Sequence, residues 1–168
     1  LMRSSAASDV YKRQLYRHPL YRECLEKNKK AEETRIFCKH GMEHFMDVAR
    51  IAYILSADRA YAVSKEIIYA AALLHDIGKT RELSPFPIND YTDEGQLLGH
   101  IVIGAQMVHD LAKEIPDFPE KLENQVIHCI LAHHGELEYG SPKKPALAEA
   151  LALSFADNVD CLLYTSDA

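Results

Sequence analysis

The residues of this chain best suited to chemistry are an adjacent histidine and aspartate, His75 and Asp76, at the end of an apolar run. Gly78 and Lys79 follow them, and glycine commonly ends a helix. An imidazole and a carboxylate at the end of a buried helix need polar partners or a cation. A His-Asp pair alone is weak evidence, because neighbouring helical residues point in directions about 100° apart. The rest of the chain therefore decides what the pair means.

Further histidines and an aspartate are spaced so that they fall on the other predicted helices. His44 precedes the pair, while His100, His133, His134 and Asp157 follow it. Imidazole and carboxylate ligands suit first-row divalent cations. The number of candidates is enough for two ions, which together can polarise a phosphoryl group and activate water near neutral pH. The pattern predicts a site for one or two divalent ions and the hydrolysis of a phosphoester.

Hydrophobic periodicity predicts an all-α fold. Phe45, Val48, Ala49 and Ala52 recur at steps of three and four residues, and alternating strand patterns are nearly absent. We expect a bundle of about six helices around the metal site. The expected helices are 19–34, 40–57, 64–77, 94–114, 119–134 and 145–160. Pro145 suits the first position of the last of them.

Composition is that of an ordinary globular protein: 48% of the 168 residues are apolar and 26% are charged, which suits one domain. The net charge of −6 argues against nucleic-acid binding through bulk positive potential, although a basic loop or a bound cation could still attract phosphate. The longest apolar run, 67–74, is far shorter than the roughly 20 residues that cross a bilayer, so no membrane span is expected. Four cysteines without Cys-x-x-Cys spacing fit a reducing cytoplasm.

The two ends of the sequence, 1–14 and 161–168, resemble translated sequencing-adapter read-through. We expect both to be non-native, which leaves 15–160 as the predicted domain. The natural gene would then continue in both directions, and the chain would be an internal fragment.

The order of the candidate ligands resembles that of the HD superfamily of metal-dependent phosphohydrolases, whose motif is His, then His-Asp, then Asp. The matching residues are His44, His75, Asp76 and Asp157. The resemblance implies that these four are metal ligands. Asp76 would also be catalytic, bridging the ions and positioning the attacking water.

Within that superfamily, the C-terminal half is similar to the HD domain of YhaM-type 3′→5′ exoribonucleases. The similar segments are 91–101, 132–136, 140–145 and 156–160. The N-terminal half, 36–79, is closer to small stand-alone HD hydrolases, which leads to the hypothesis of a chimeric reading frame. Exoribonucleases of this type normally carry an OB-type nucleic-acid-binding domain before the HD domain, and we expect the fragment to lack it.

The same similarity implies roles for further residues. His100, His133 and His134 would complete a second metal position, although histidines at helix ends can also be simple polar groups. Lys79 would act in catalysis and bind substrate phosphate, and Lys143 and Lys144 would bind phosphate too, although isolated lysines are usually only solvated charges. His40 lies one turn before His44 and could orient a ligand; a core or surface histidine is the simpler interpretation.

Three functions remain open. The first is a phosphodiesterase that removes nucleotides from the 3′ end of single-stranded RNA or DNA, with Mn²⁺ as the first choice and Fe, Zn, Ni, Co or Mg as alternatives. The second is a hydrolase of nucleotides or phosphomonoesters, favoured by the N-terminal half and the acidic charge. The third is a non-catalytic module that senses a metal or nucleotide. A homo-oligomer is compatible with each of them.

Overall fold

The computed structural model of the chain describes residues 13–31, 40–57, 63–85, 87–88 and 90–165, except for the side chains of 164 and 165. Its helices include α1 Pro19–Ala31, α2 Met42–Ala57, α3 Lys65–Leu74, α4 Lys79–Glu82, α5 Asp93–Glu114, α6 Glu120–Leu131 and α7 Ala148–Thr165, with a 3-10 turn at Leu137–Tyr139. In these ranges the β structure is confined to one bridge between Leu83 and Tyr91. The prediction of an all-α fold is confirmed.

Helix α3 lies at the centre of the bundle and packs against α2, α6 and α7. One of its faces belongs to an apolar cluster with Phe45 and Ile103, and another to a cluster rich in alanine that includes Ala49 and Leu153. Small alanine side chains let neighbouring helices approach closely, and burial on both faces favours the folded state. The carboxyl end of α3 is thereby fixed deep in the molecule.

The two ends of α3 are set by specific contacts. Ser64 caps its start, because the hydroxyl oxygen accepts from the Ile67 N–H at 3.3 Å. The helix ends at Leu74, three residues before the predicted end at 77. Tight turns replace the helix. The Ile77 N–H donates to the backbone oxygen of Leu74, and the Lys79 N–H donates to the backbone oxygen of Asp76. The His75–Asp76 pair therefore lies in a turn after the helix.

Gly78 explains why α5 can pass so close to this turn. A Cβ atom at Gly78 would lie 2.0 Å from the backbone oxygen of His100, so only glycine allows α5 to pass this close. The short helix α4, which the sequence did not predict, begins directly afterwards. The contact brings the start of α5 against the turn that carries the His75–Asp76 pair.

Two other predicted boundaries were wrong, and one correctly bounded helix has an interruption that was not predicted. Helix α6 ends at Leu131 instead of 134, because Ala132 leaves the helical conformation. Helix α7 begins at Ala148, and Pro145 is not its first residue, because the Ala146 N–H donates instead to His128 Nε2 at 2.9 Å. Helix α5 is interrupted at Gly99, whose φ of 70° is left-handed.

The terminal predictions have different outcomes. Residues 32–34, at the end of the first predicted helix, and 1–12 lie outside the described residues. Helix α7 continues to Thr165, past the predicted end at 160. The non-native origin of 1–14 and 161–168 stays a prediction. Among the described helices, none is both long enough and apolar enough to cross a membrane.

Candidate metal centre

The turn after α3 places His75 and Asp76 in the interior, where they are 0% and 2% exposed. The His75 Nδ1–H donates to the Ala72 carbonyl oxygen at 2.8 Å. This bond fixes the ring and directs Nε2 towards the carboxylate of Asp76, whose Oδ2 lies 3.3 Å away. A ring nitrogen and a carboxylate oxygen therefore face each other away from solvent.

Helices α2 and α7 bring two more side chains to this point. His44 Nε2 and His75 Nε2 lie 3.4 and 3.6 Å from Asp157 Oδ1. The three ligand atoms lie within 4.8 Å of one another, a spacing that one cation could bridge. We call His44, His75 and Asp157 the first group.

Asp160 holds His44 in place, a role that the sequence reasoning missed. The His44 Nδ1–H donates to Asp160 Oδ2 at 2.7 Å, and both side chains are buried. A carboxylate behind a histidine commonly orients a metal ligand and raises its basicity. The signal in the sequence was the spacing, since Asp160 lies three residues after Asp157 on the same side of α7.

A second group is formed by His100, His133 and His134, whose ring nitrogens also lie within 4.8 Å of one another. His133 donates from Nδ1 to the Ile130 carbonyl oxygen at 2.7 Å. His134 donates from Nδ1 to the Tyr139 carbonyl oxygen at 2.8 Å. The break at Gly99 redirects the chain immediately before His100. The second group therefore comes from α5 and from the turn after α6.

Asp76 lies between the two groups. Its Oδ2 faces His75, while its Oδ1 lies 3.7 Å from His100 Nε2 and 3.8 Å from His133 Nε2. One carboxylate with an oxygen towards each group is the arrangement expected of a residue that bridges two ions.

A test of whether a cation fits comes from the buried atoms that have no hydrogen-bond partner. Among the described residues these include five that border the centre: His44 Nε2, His75 Nε2, Asp76 Oδ1, His100 Nε2 and His133 Nε2. Folded proteins rarely leave buried polar atoms unsatisfied, because each costs roughly 1–3 kcal/mol. Divalent cations would satisfy all five, so the donor set fits a metal centre.

A family model described as the HD domain matches residues 41–162, which include both groups and Asp76. The chain belongs to the HD domain family. The match crosses both halves of the sequence, and it confirms the family and the metal-dependent phosphohydrolase predicted from the motif. The HD domain implies a divalent metal, and the two groups are residues that could hold it.

Relatives of this HD domain include three bacterial proteins named 3′-5′ exoribonuclease YhaM. The protein of Bacillus velezensis is 39% identical over 126 residues, which cover 74% of this chain and 39% of the relative. That of Shouchella clausii is 45% identical over 106 residues, covering 62% and 33%, and that of Bacillus licheniformis is 42% identical over 113 residues, covering 66% and 35%. The chain thus spans about two fifths or less of each relative. No solved structure gives a significant match.

His40 lies nearer to the centre of the HD domain than the sequence indicated. It is 6% exposed, and its Nε2 is 3.7 Å from Asp76 Oδ2. With His44 and Asp76 it forms a third set of ligand atoms within 4.8 Å. His40 is therefore a buried member of the polar centre and not a surface histidine.

Charge in the centre is strongly coupled. Burial raises the pKa of Asp76, but Lys79 and His75 together hold it well below its ordinary value. Burial likewise opposes protonation of His75, yet the carboxylates of Asp76 and Asp157 raise its pKa to about 10. Burial and the nearby His75 hold the pKa of His133 well below its usual value. His133 is therefore neutral before any ion binds, whereas an ion that binds His75 would displace its proton.

The predicted phosphate-binding lysines have different surroundings. Lys79 Nζ lies 2.8 Å from Asp76 Oδ2, so this cation is at the edge of the centre. Lys144 pairs with Glu136 at 2.6 Å on the surface, and Lys143 is exposed beside it. Phosphate binding by these three residues stays a prediction.

Glu82 is a further residue that the sequence reasoning missed. Its Oε1 accepts from the backbone N–H of His100 at 2.9 Å and from His100 Nδ1 at 3.0 Å. The His100 contacts hold the pKa of Glu82 below its ordinary value despite burial. Glu82 comes within reach because Gly95 packs on its backbone, where a Cβ would lie 2.2 Å from the Glu82 carbonyl oxygen. Sequence spacing gave no signal for this tertiary contact.

We expect Glu82→Gln to lower metal affinity by about 10–100-fold, because the amide is a weaker acceptor for His100. Equilibrium dialysis with Mn²⁺ measures the effect directly. Glu94→Gln is the matched control, since Glu94 pairs with Arg81 on the surface. Equal affinities of the two variants would contradict the role given to Glu82.

Proposed function

We propose that this HD domain is the hydrolytic domain of a 3′→5′ exoribonuclease, which releases nucleotides from the 3′ end of single-stranded RNA. The observation that carries the proposal is the position of Asp76, with one oxygen towards each group of candidate ligands. The names of the YhaM relatives supply the substrate class. We propose Mn²⁺ as the ion, because the donors mix imidazole with carboxylate.

Each residue of the centre has a distinct task in this proposal. His44, His75 and Asp157 would hold one ion, His100, His133 and His134 would hold the other, and Asp76 would contribute to both. Bound divalent ions supply Lewis acidity and an activated water for attack on phosphorus. Asp160 and Glu82 keep His44 and His100 oriented, so that both rings present Nε2 to the centre.

Lys79 is proposed to act at the edge of the centre. Its Nζ pairs with the Asp76 carboxylate at 2.8 Å. We propose that it also binds a phosphate oxygen of the substrate. Lys143 and Lys144 are proposed to bind phosphate farther out, which requires Lys144 to exchange its exposed partner Glu136 for the substrate. Exposed ion pairs are weak, so this exchange costs little.

Hydrolysis of mononucleotides is the second candidate function. Asp76 is buried, and a small substrate would reach a buried carboxylate more readily than a nucleic-acid strand would. This favours the second candidate. The net charge of −6 favours it too, because long polyanions are repelled by an acidic surface.

Product analysis separates the candidates. RNA labelled at its 5′ end is incubated with the purified chain and Mn²⁺, beside a panel of mononucleotides. Stepwise shortening from the 3′ end supports the proposal, and hydrolysis of mononucleotides alone supports the second candidate. Tight nucleotide binding without turnover would instead support the sensing module.

The cytoplasm is our proposed compartment. Cys24 and Cys129 are buried free thiols in the part of the chain that the structure describes, as a reducing environment would keep them. The oligomeric state stays a prediction.

A further inference from the structure

A cavity of about 430 Å³ lies beside the metal centre, between the end of α1 and the chain around α4. Its charged lining consists of Lys27, Lys30 and Lys79. Lys79 belongs to both places, because its Nζ also contacts Asp76 Oδ2 at 2.8 Å. The volume is within the range of sites that bind small molecules, roughly 300–1,000 Å³. The cavity and the metal centre are therefore adjacent.

The charge of this cavity is opposite to that of the whole chain. Three lysines line it, and no carboxylate does among the residues that the structure describes, although the chain has a net charge of −6. Lys27 pairs with Glu23 one turn earlier, but both side chains are 60% exposed. Such a pair is weak and can open for another anion. The cavity thus favours an anionic ligand.

The uncharged lining also suits phosphate oxygens, which accept hydrogen bonds. Ser84 Oγ accepts from the Asp90 N–H at 3.0 Å, so its own hydroxyl hydrogen can be donated. Asn28 is only 5% exposed and lines the same cavity, where its amide can donate as well. A buried amide is unusual on a merely solvated lysine face.

A simpler role for Lys30 is to stabilise the carboxyl end of α1, where Lys29 also lies. That role does not require the side chain to line a cavity. Lys29 lies on the same turn and does not line it. Substitution of Lys29 therefore tests helix stabilisation alone, whereas substitution of Lys30 also changes the cavity.

We propose that this cavity binds a phosphate of the nucleic-acid strand next to the phosphate that is cleaved, through Lys27 and Lys30. Lys79 lies between the two positions. The inference rests on the proposed exonuclease function, and it specifies a substrate with at least two phosphodiester groups. An exonuclease needs such a second phosphate contact, because the strand must stay bound while its last nucleotide reaches the ions.

The test compares Lys27→Ala/Lys30→Ala with Lys29→Ala on two substrates, an RNA oligonucleotide and bis(p-nitrophenyl) phosphate, which has a single phosphodiester. We expect the double variant to lower the ratio of kcat/KM for the oligonucleotide to that for the small ester about tenfold, mainly through KM. The slope of log affinity for the oligonucleotide against log salt should fall by about 0.7 for each phosphate group that the variant no longer binds. Lys29→Ala should leave the ratio unchanged.

Failure of the inference can be told apart from failure of the proposed function. Oligonucleotide binding is also measured by fluorescence anisotropy in chelator, where cleavage is stopped. If the intact chain cleaves no RNA but the double variant still binds it less tightly with a smaller salt slope, the exonuclease proposal fails and the cavity stands. If the double variant matches Lys29→Ala in both assays, or loses both substrates equally, the cavity assignment is overturned.

Discussion

Asp76→Asn is expected to lower phosphodiester hydrolysis by about a thousandfold or more. The substitution keeps the shape of the side chain but removes the charge that lies between the two groups of candidate ligands. Metal ions contribute several kcal/mol of transition-state stabilisation, and each 1.36 kcal/mol is about tenfold in rate. The Asp76→Asn substitution also removes the anionic partner that lies 2.8 Å from Lys79 Nζ. Turnover of bis(p-nitrophenyl) phosphate with Mn²⁺ measures the loss.

The control for this variant is Asp110→Asn, because Asp110 is 70% exposed and its contact with Lys113 is 3.9 Å long. Its rate should stay within about twofold of the parent chain, as surface substitutions usually change little. Circular dichroism shows whether Asp76→Asn keeps its helices. A folded Asp76→Asn that retains more than a tenth of the parent rate would contradict the role of Asp76.

Removal of the metal is expected to lower the Tm by about 8–16 °C. Ions that bind only the folded state stabilise it by about 4.1 kcal/mol when present at 1,000 times Kd. For a chain of this size, 1 kcal/mol corresponds to about 2–4 °C in Tm. The structural reason is the five buried atoms at the centre that have no hydrogen-bond partner among the described residues. Calorimetry with Mn²⁺ and with a chelator gives the difference.

Asp76→Asn serves as the matched control in that experiment too. Because the carboxylate lies between both groups, its loss should shrink the difference in Tm between metal and chelator to a small fraction of the parent value. Asp110→Asn should show the full difference. An identical Tm in metal and chelator for the parent chain would mean that the centre does not bind ions in the folded state.

Much of the centre could be predicted from the sequence, because the candidate metal ligands lie where periodic helices meet. The order His44, His75, Asp76 and Asp157 predicted residues that the structure brings within a few ångströms. For most of the helix ends that the structure describes, the predicted end was correct to within three residues. Periodicity carries this information because each apolar stripe has to face the same core.

The supporting residues could not be predicted, because they depend on where separate segments cross. Glu82 reaches His100 only because Gly95 lets the start of α5 lie on the backbone of Glu82. Asp160 had a usable spacing, but its bond to His44 links α7 with α2 across the fold. The interruption of α5 at Gly99 is likewise a tertiary feature, since the flanking residues continue the helical pattern.

The basic cavity illustrates the same limit. The sequence reasoning did not single out Lys27 or Lys30, and only the packing of α1 beside α4 places them near Lys79. The net charge of −6 pointed away from nucleic acid, whereas the local charge beside the centre is positive. Local arrangement and not total charge decides what a site attracts.

The number of ions bound per chain tests the central claim most directly. The chain is stripped with a chelator, dialysed against Mn²⁺ and analysed for metal by mass spectrometry, with Asp76→Asn and Asp110→Asn treated in parallel. We predict two ions per chain for the parent and Asp110→Asn, and fewer for Asp76→Asn. A parent chain that binds no ion under these conditions would contradict the account, because the buried ligand atoms would then have a different purpose.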